Sequence, residues 1–186
     1  MPLIAAGSGT RRAAIAFACL TVVGVLLSIG PSHQARAAEI DASCVGTQHA
    51  HISPGLTFQP RDVTVTVKTI YSPCASPTTP TVASATQNSS FVVTSASCLN
   101  PFDPGSGTKV LTWNTGATSV FSFNRIGNNV GGSTVVTETG LITAGLFAGD
   151  NAIEQITGPV VNTLDCLSEK GVTDRFATLQ LVIARP

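Results

Sequence analysis

Residues 62–68, Asp-Val-Thr-Val-Thr-Val-Lys, are the clearest strand signal in the chain. Val63, Val65 and Val67 recur at every second position, so they fall on one face of a β-strand and leave the threonines on the other face. Valine and threonine are β-branched and favour extended backbone. The stretch therefore predicts a strand with one face buried in a core.

Similar strand signals recur on both sides of this stretch. We predict further strands over residues 50–58, 90–97, 109–113, 118–124, 134–143, 151–157 and 176–183. Turn-forming residues separate them, as in Asn114-Thr-Gly-Ala117 between two strands that read as a hairpin. Many short strands with frequent turns favour an all-β fold, and we interpret it as an immunoglobulin-like β-sandwich.

One short helix is predicted near the C-terminus. Gly158-Pro159 would open it, because proline suits the first helical position, and Gly171 would close it. Its apolar positions follow helical spacing and comprise Val160, Val161, Leu164 and Leu167.

The N-terminal residues have the pattern of a secretory signal peptide. Arg11 and Arg12 precede an apolar run over residues 13–30, and Ala35-Arg36-Ala37 provides small residues at the two key cleavage positions. We predict a signal peptide over residues 1–37, cleavage after Ala37, and a single secreted domain over residues 38–186. Whether export is general or twin-arginine stays open.

Composition excludes two classes of partner. The 186 residues carry ten basic and ten acidic side chains, and charged residues make up 11%, against about 25% in ordinary domains. Removal of Arg11, Arg12 and Arg36 leaves seven basic residues against ten acidic ones. Such a surface lacks the basic field of a nucleic-acid binder. We expect no nucleic-acid partner and no membrane span in the mature chain.

Four cysteines remain after the predicted cleavage. An even number in an exported chain indicates two disulfides, for which three pairings exist. We favour Cys44–Cys74 and Cys98–Cys166. The first pair would tie the N-terminal strands together, and the second would hold the short helix. The nested and interleaved pairings are the alternatives.

A series of short motifs runs through most of the mature chain. It comprises Cys44-Val-Gly-Thr, Ser53-Pro-Gly-Leu-Thr, Tyr71-Ser-Pro-Cys74, Ser97-Cys-Leu, Phe147-Ala-Gly-Asp, Cys166-Leu and Gly171-Val-Thr. In this order the motifs resemble those of a group of small exported actinomycete proteins. The resemblance implies export and a β-sandwich fold, and it implies no catalytic residues.

No motif for catalysis or metal binding stands out. His49 and His51 would share a strand face, but no carboxylate or cysteine has ligand spacing beside them. We therefore expect exposed strand residues, no metal and no cofactor. Asp150 and Glu154 are considered as a carboxylate pair for glycoside hydrolysis and are interpreted as surface or turn residues.

Three aromatic side chains raise the possibility of a sugar-binding face. Trp113 alternates with Leu111, which favours a place in the core, while Tyr71 and Phe102 lie near the predicted bridges. We predict no catalytic residues and a non-catalytic binding module. Its partner would be a cell-wall polymer, a small ligand or another secreted protein. A small secreted hydrolase is the alternative, as is an inhibitor that presents the loop over residues 73–80.

Overall fold

The computed structural model describes residues 39–99 and 104–186. These residues form eight strands and one short helix. The elements are β1 (Ile40–Leu56), β2 (Arg61–Ala75), β3 (Ala85–Ala96), β4 (Gly105–Trp113), β5 (Thr118–Val130), β6 (Ser133–Gly145), β7 (Asn151–Pro159), α1 (Thr163–Leu167) and β8 (Val172–Ala184). The all-β prediction is confirmed, and most strands are longer than predicted.

The strands close into a single antiparallel barrel. Each strand pairs with the next along the chain, and β1 also pairs with β8, from Ile40 opposite Ala184 to Leu56 opposite Val172. The predicted immunoglobulin-like sandwich is therefore wrong, because one continuous sheet curls until its first and last strands pair. A barrel and a sandwich both place alternate residues inside, so periodicity alone did not distinguish them.

Glycine allows the strands to approach closely where the sheet bends. A Cβ atom at Gly140 would lie 2.8 Å from Cα of Phe123 and closer still to the carbonyl oxygen of Ser122. The neighbouring atoms belong to the backbone, so they cannot swing away as a side chain would. This position in β6 therefore requires glycine.

The helix lies where the sequence predicts it but is shorter and packs differently. It begins after Asn162, whose side chain accepts a hydrogen bond from the backbone N–H of Leu164. Leu164 and Leu167 are exposed, and Cys166 is the buried helical residue. The predicted apolar face is therefore wrong, because a disulfide rather than leucine packing holds the helix.

The structure contains disulfides between Cys44 and Cys74 and between Cys98 and Cys166. The first joins directly opposed residues of β1 and β2, with Cα atoms 4.1 Å apart. The second ties the β3–β4 connection to the β7–β8 connection, with Cα atoms 6.2 Å apart. Both connections lie at the same end of the barrel, which we call the upper end.

Two apolar clusters occupy the barrel. The larger cluster fills the lower half, and its most buried side chains include Tyr71, Leu111, Trp113, Phe121, Ile142 and Ile183. The smaller cluster lies beneath the upper connections and contains Ile52, Leu56, Val63, Ala96, Cys166 and Val172. The space that separates the clusters is the barrel's interior cavity.

The predicted signal peptide, residues 1–37, lies outside the described residues. Within residues 39–99 and 104–186, no helix has both the length and the apolar character needed to cross a membrane.

Candidate functional site

A cavity of about 350 Å³ lies inside the barrel. Its apolar wall comes from alternate, inward-facing positions of several strands, and includes Ile52, Leu56, Val63, Val65, Val136 and Ile156. Its polar lining includes Gln48, Gln87, Lys109, Arg125 and Glu138. The cavity is therefore mainly apolar, with polar groups along what we call the floor, the level just above the lower core.

The floor is built around a buried lysine. Lys109 alternates with Leu111 and Trp113 on β4. Its side chain therefore points into the barrel, as theirs do. Its Nζ donates to Glu138 Oε2 at 2.6 Å and also to Glu154 Oε2. Glu138 and Glu154 are directly opposed on β6 and β7, which brings both carboxylates to one ammonium group.

Two further side chains complete this charged network. Arg125 donates to Glu138 Oε1 from Nε at 2.8 Å and from Nη2 at 2.5 Å. The hydroxyl of Tyr71 donates to Glu154 Oε1 at 3.0 Å. Lys109 Nζ also lies 5.4 Å and 5.2 Å from the ring centres of Phe121 and Phe123, within the range of a cation–π interaction.

The two carboxyl groups differ in acidity because their surroundings differ. Burial and the nearby Glu138 carboxylate raise the pKa of Glu154 above its ordinary value, although Lys109 opposes the shift. The pKa of Glu138 is lowered, since Lys109 and Arg125 outweigh the cost of its burial. Burial and Glu154 raise the pKa of Tyr71, so its phenol stays protonated.

A second chain of polar side chains runs across β1, β2 and β3. Gln48 Nε2 donates to Thr69 Oγ1 at 3.2 Å, and that hydroxyl donates to Gln87 Oε1 at 3.0 Å. This direction leaves the Nε2 group of Gln87 without a hydrogen-bond partner among the described residues. Gln87 is only 4% exposed, so its free amide N–H groups face the cavity rather than bulk water.

The barrel wall has one weak seam. β3 pairs with β4 at only two positions, Ala85 with Trp113 and Thr86 with Thr112. Above these pairs both strands line the cavity, through Ser89 and Phe91 on one side and Thr108 on the other. Few backbone hydrogen bonds oppose separation here, so this is the part of the wall that opens most easily.

The two carboxyl groups of the network differ in their access to the cavity. Glu138 is neutralised by two cations, while Glu154 is fully buried and does not line the cavity. Of these two carboxyls Glu138 borders the cavity, where its oxygens accept from Lys109 and Arg125. The floor presents a pattern of paired charges and hydrogen-bond donors.

The two histidines of the sequence analysis lie together on the outer face of β1. His49 Nε2 and His51 Nδ1 contact the same oxygen of Asp174, at 2.8 Å and 3.1 Å, and His49 stacks on Phe176. These bonds and one from Thr173 lower the pKa of Asp174. Sequence spacing missed Asp174 because β8 is distant in sequence.

Over residues 39–99 and 104–186, no set of three or more His, Cys, Asp or Glu side chains is arranged to hold a metal ion.

The other sequence candidates fall mostly in the lower core. Trp113 is buried as predicted, and Tyr71 is a core residue of β2, so neither offers a sugar-stacking face. The interpretation of Glu154 and Asp150 as surface or turn residues is wrong for Glu154, which is fully buried. Asp150 is also buried, and burial and neighbouring Asp41 raise its pKa. Phe102 lies outside the described residues.

The floor residues Lys109, Arg125 and Glu138 were missed by sequence reasoning. The available signal was the two-residue periodicity of each strand, because each of these residues occupies an inward-facing position. Lys109 is in phase with Leu111, Arg125 with Phe123, and Glu138 with Val136. Opposite charges at the inward-facing, otherwise apolar positions of neighbouring strands indicate a buried ion network.

Comparison with known proteins found no match among family models, curated proteins or solved structures.

Proposed function

We propose that the mature domain is a secreted binding protein that holds one small amphipathic ligand inside the barrel. The observation that carries this proposal is the interior cavity, with its apolar wall and its floor of fixed charges and free donors. Of the three partners considered from the sequence, a small ligand fits this interior best.

The size of the cavity supports one small ligand. Eight-stranded barrels have an interior that side chains just fill or that holds a single small molecule. Ligand cavities typically occupy about 300–1,000 Å³, and this one occupies about 350 Å³.

The wall and the floor would hold different parts of the ligand. Contact with Val65, Val136 and Ile156 would remove an apolar body from water, at about 25 cal/mol for each Å² buried. Groups on the floor would orient the polar end. The smaller apolar cluster, held by the Cys98–Cys166 disulfide, would cover the ligand from above.

Secretion is part of the proposal. Structural disulfides form and persist in oxidising compartments, and this barrel contains two. The signal-peptide pattern of residues 1–37 and the resemblance to exported actinomycete proteins support the same location. A catalytic role finds no comparable support, because the floor carboxyls are neutralised or buried away from the cavity.

An NMR titration of residues 38–186 with decanol tests the proposal. We expect saturable shift changes at the methyl groups of Val65, Val136 and Ile156. Ile70 and Ile153 point outward and serve as internal controls that should not shift. The absence of saturable shifts, or shifts confined to outward-facing residues, would contradict an interior site.

A further inference from the structure

We infer that the ligand carries a carboxylate on its apolar body, and that this head group binds the unused N–H donors of the floor. The inference rests on the proposed function and specifies the ligand class for the same cavity. Several hydrogen-bond donors of the floor are unoccupied, whereas most of its carboxylate acceptor positions are occupied.

Gln87 provides the first unused donors. Its Oε1 accepts from Thr69 Oγ1, and Thr69 Oγ1 in turn accepts from Gln48 Nε2. Its Nε2 therefore presents two N–H groups to the cavity. A ligand that brings acceptor atoms into the cavity would satisfy these N–H groups.

The cations of the floor add to the surplus of donors. Arg125 uses Nε and Nη2 on Glu138, which leaves Nη1 without a hydrogen-bond partner among the described residues. Lys109 uses two of its three N–H groups on Glu138 and Glu154. The Glu138 carboxylate already accepts three of these bonds. The floor thus has several unused N–H donors and few unused acceptor atoms.

The charge of the lining points the same way. Lys109, Arg125 and Arg175 line the cavity, against the single carboxylate of Glu138. Glu154 lies behind the floor, where it also pairs with Lys109. An ammonium head group would find one unused amide acceptor in this lining, Oε1 of Gln48, whereas a carboxylate would accept charge-assisted hydrogen bonds from several unused donors.

The space above the floor limits the apolar body. The cavity of about 350 Å³ lies at the small end of the range for ligand sites, about 300–1,000 Å³, which suits a carboxylate with a single short alkyl chain. Decanoate has this size and is a suitable probe. Decanol and decylamine carry nearly the same chain with a neutral and a cationic head group, so they isolate the contribution of the head.

Isothermal titration calorimetry of residues 38–186 with these three compounds tests the inference. We expect decanoate to bind at least about tenfold more tightly than decanol, and decylamine to bind more weakly than both. Equal or tighter binding of decanol or decylamine would overturn the carboxylate assignment and leave the proposed function standing. If none of the three binds, the proposed function fails and the inference fails with it.

Two floor variants locate the head group. Gln87→Leu and Arg125→Gln should each weaken decanoate binding by about tenfold, with a smaller effect on decanol. Gln155→Leu changes an exposed glutamine of β7 and should leave both affinities unchanged. Thermal melting establishes which variants are folded. Wild-type affinity for decanoate in both folded variants, or in the one that folds, would overturn the assignment.

Discussion

Lys109 pairs with two carboxylates in the barrel interior. Its side chain is 8% exposed, and those of Glu138 and Glu154 are at most 1% exposed. Lys109→Met should therefore lower the free energy of unfolding at neutral pH by about 3–5 kcal/mol, the usual cost of leaving a buried charge without its partner.

Urea unfolding measures this effect, with Lys68→Met as the matched control. Lys68 is an exposed lysine on β2, so its replacement should change stability by no more than about 0.5 kcal/mol. Similar stabilities for the two variants would show that the buried network does not require Lys109.

Glu154 gives the network a pH dependence of known sign. Because its pKa is raised in the folded state, folding favours its protonated form. The wild-type protein should lose stability relative to Glu154→Gln as pH rises from the ordinary glutamate value through the raised one. In urea unfolding from about pH 4 to about pH 8, the free energy of unfolding of the variant should rise relative to that of the wild type. The opposite trend would contradict the raised pKa of Glu154.

At the scale of residues, the sequence could predict burial better than chemistry. Trp113 was assigned to the core because it alternates with Leu111. Lys109 continues that alternation, but a lysine there indicates a buried ion only once its partners are known. Those partners, Glu138 and Glu154, come from strands that meet β4 only across the barrel interior.

Gly140 shows how a strand depends on the closeness of its neighbour. A methyl group at this position would overlap the backbone of Ser122 and Phe123. Gly140→Ala should lower the free energy of unfolding by about 1–3 kcal/mol through overpacking. Gly105→Ala is the control, because no atom of the described residues lies within 4 Å of the Cβ position there. Equal stability of the two variants would contradict the close approach of β5 and β6.

The Cys98–Cys166 disulfide joins the two connections at the upper end of the barrel. The double variant Cys98→Ser/Cys166→Ser should lose about 2–5 kcal/mol of stability. Peptide mapping under non-reducing conditions checks the pairing itself. A crosslinked peptide that joins Cys74 to Cys98 or to Cys166 would contradict both disulfides of the structure.

At the scale of elements, the strands could be predicted because each carries its own alternation and turn signals. The helix was placed correctly, but its packing face could not be predicted from Leu164 and Leu167 alone. A helix of five residues is too short for apolar periodicity to determine which face is buried, and the bond to Cys98 determines it instead.

At the scale of the whole molecule, closure of the sheet was beyond the reach of pattern reasoning. The same inward-facing valines of β2 would fit a sandwich or a barrel. What distinguishes the folds is the pairing of β1 with β8, which joins residues such as Ile40 and Ala184 from opposite ends of the domain. The interior cavity follows from this closure, so it could not be predicted either.

Filling the cavity tests the central claim most directly. Ala50 lines the cavity from β1, so Ala50→Phe should occupy the ligand's space without disturbing the barrel wall. The control Ala144→Phe makes the same change at an exposed position of β6. Calorimetric titration with decanoate should show binding by the wild type and Ala144→Phe, and none by a folded Ala50→Phe variant. Undiminished binding by Ala50→Phe would place the ligand outside the barrel and contradict the account.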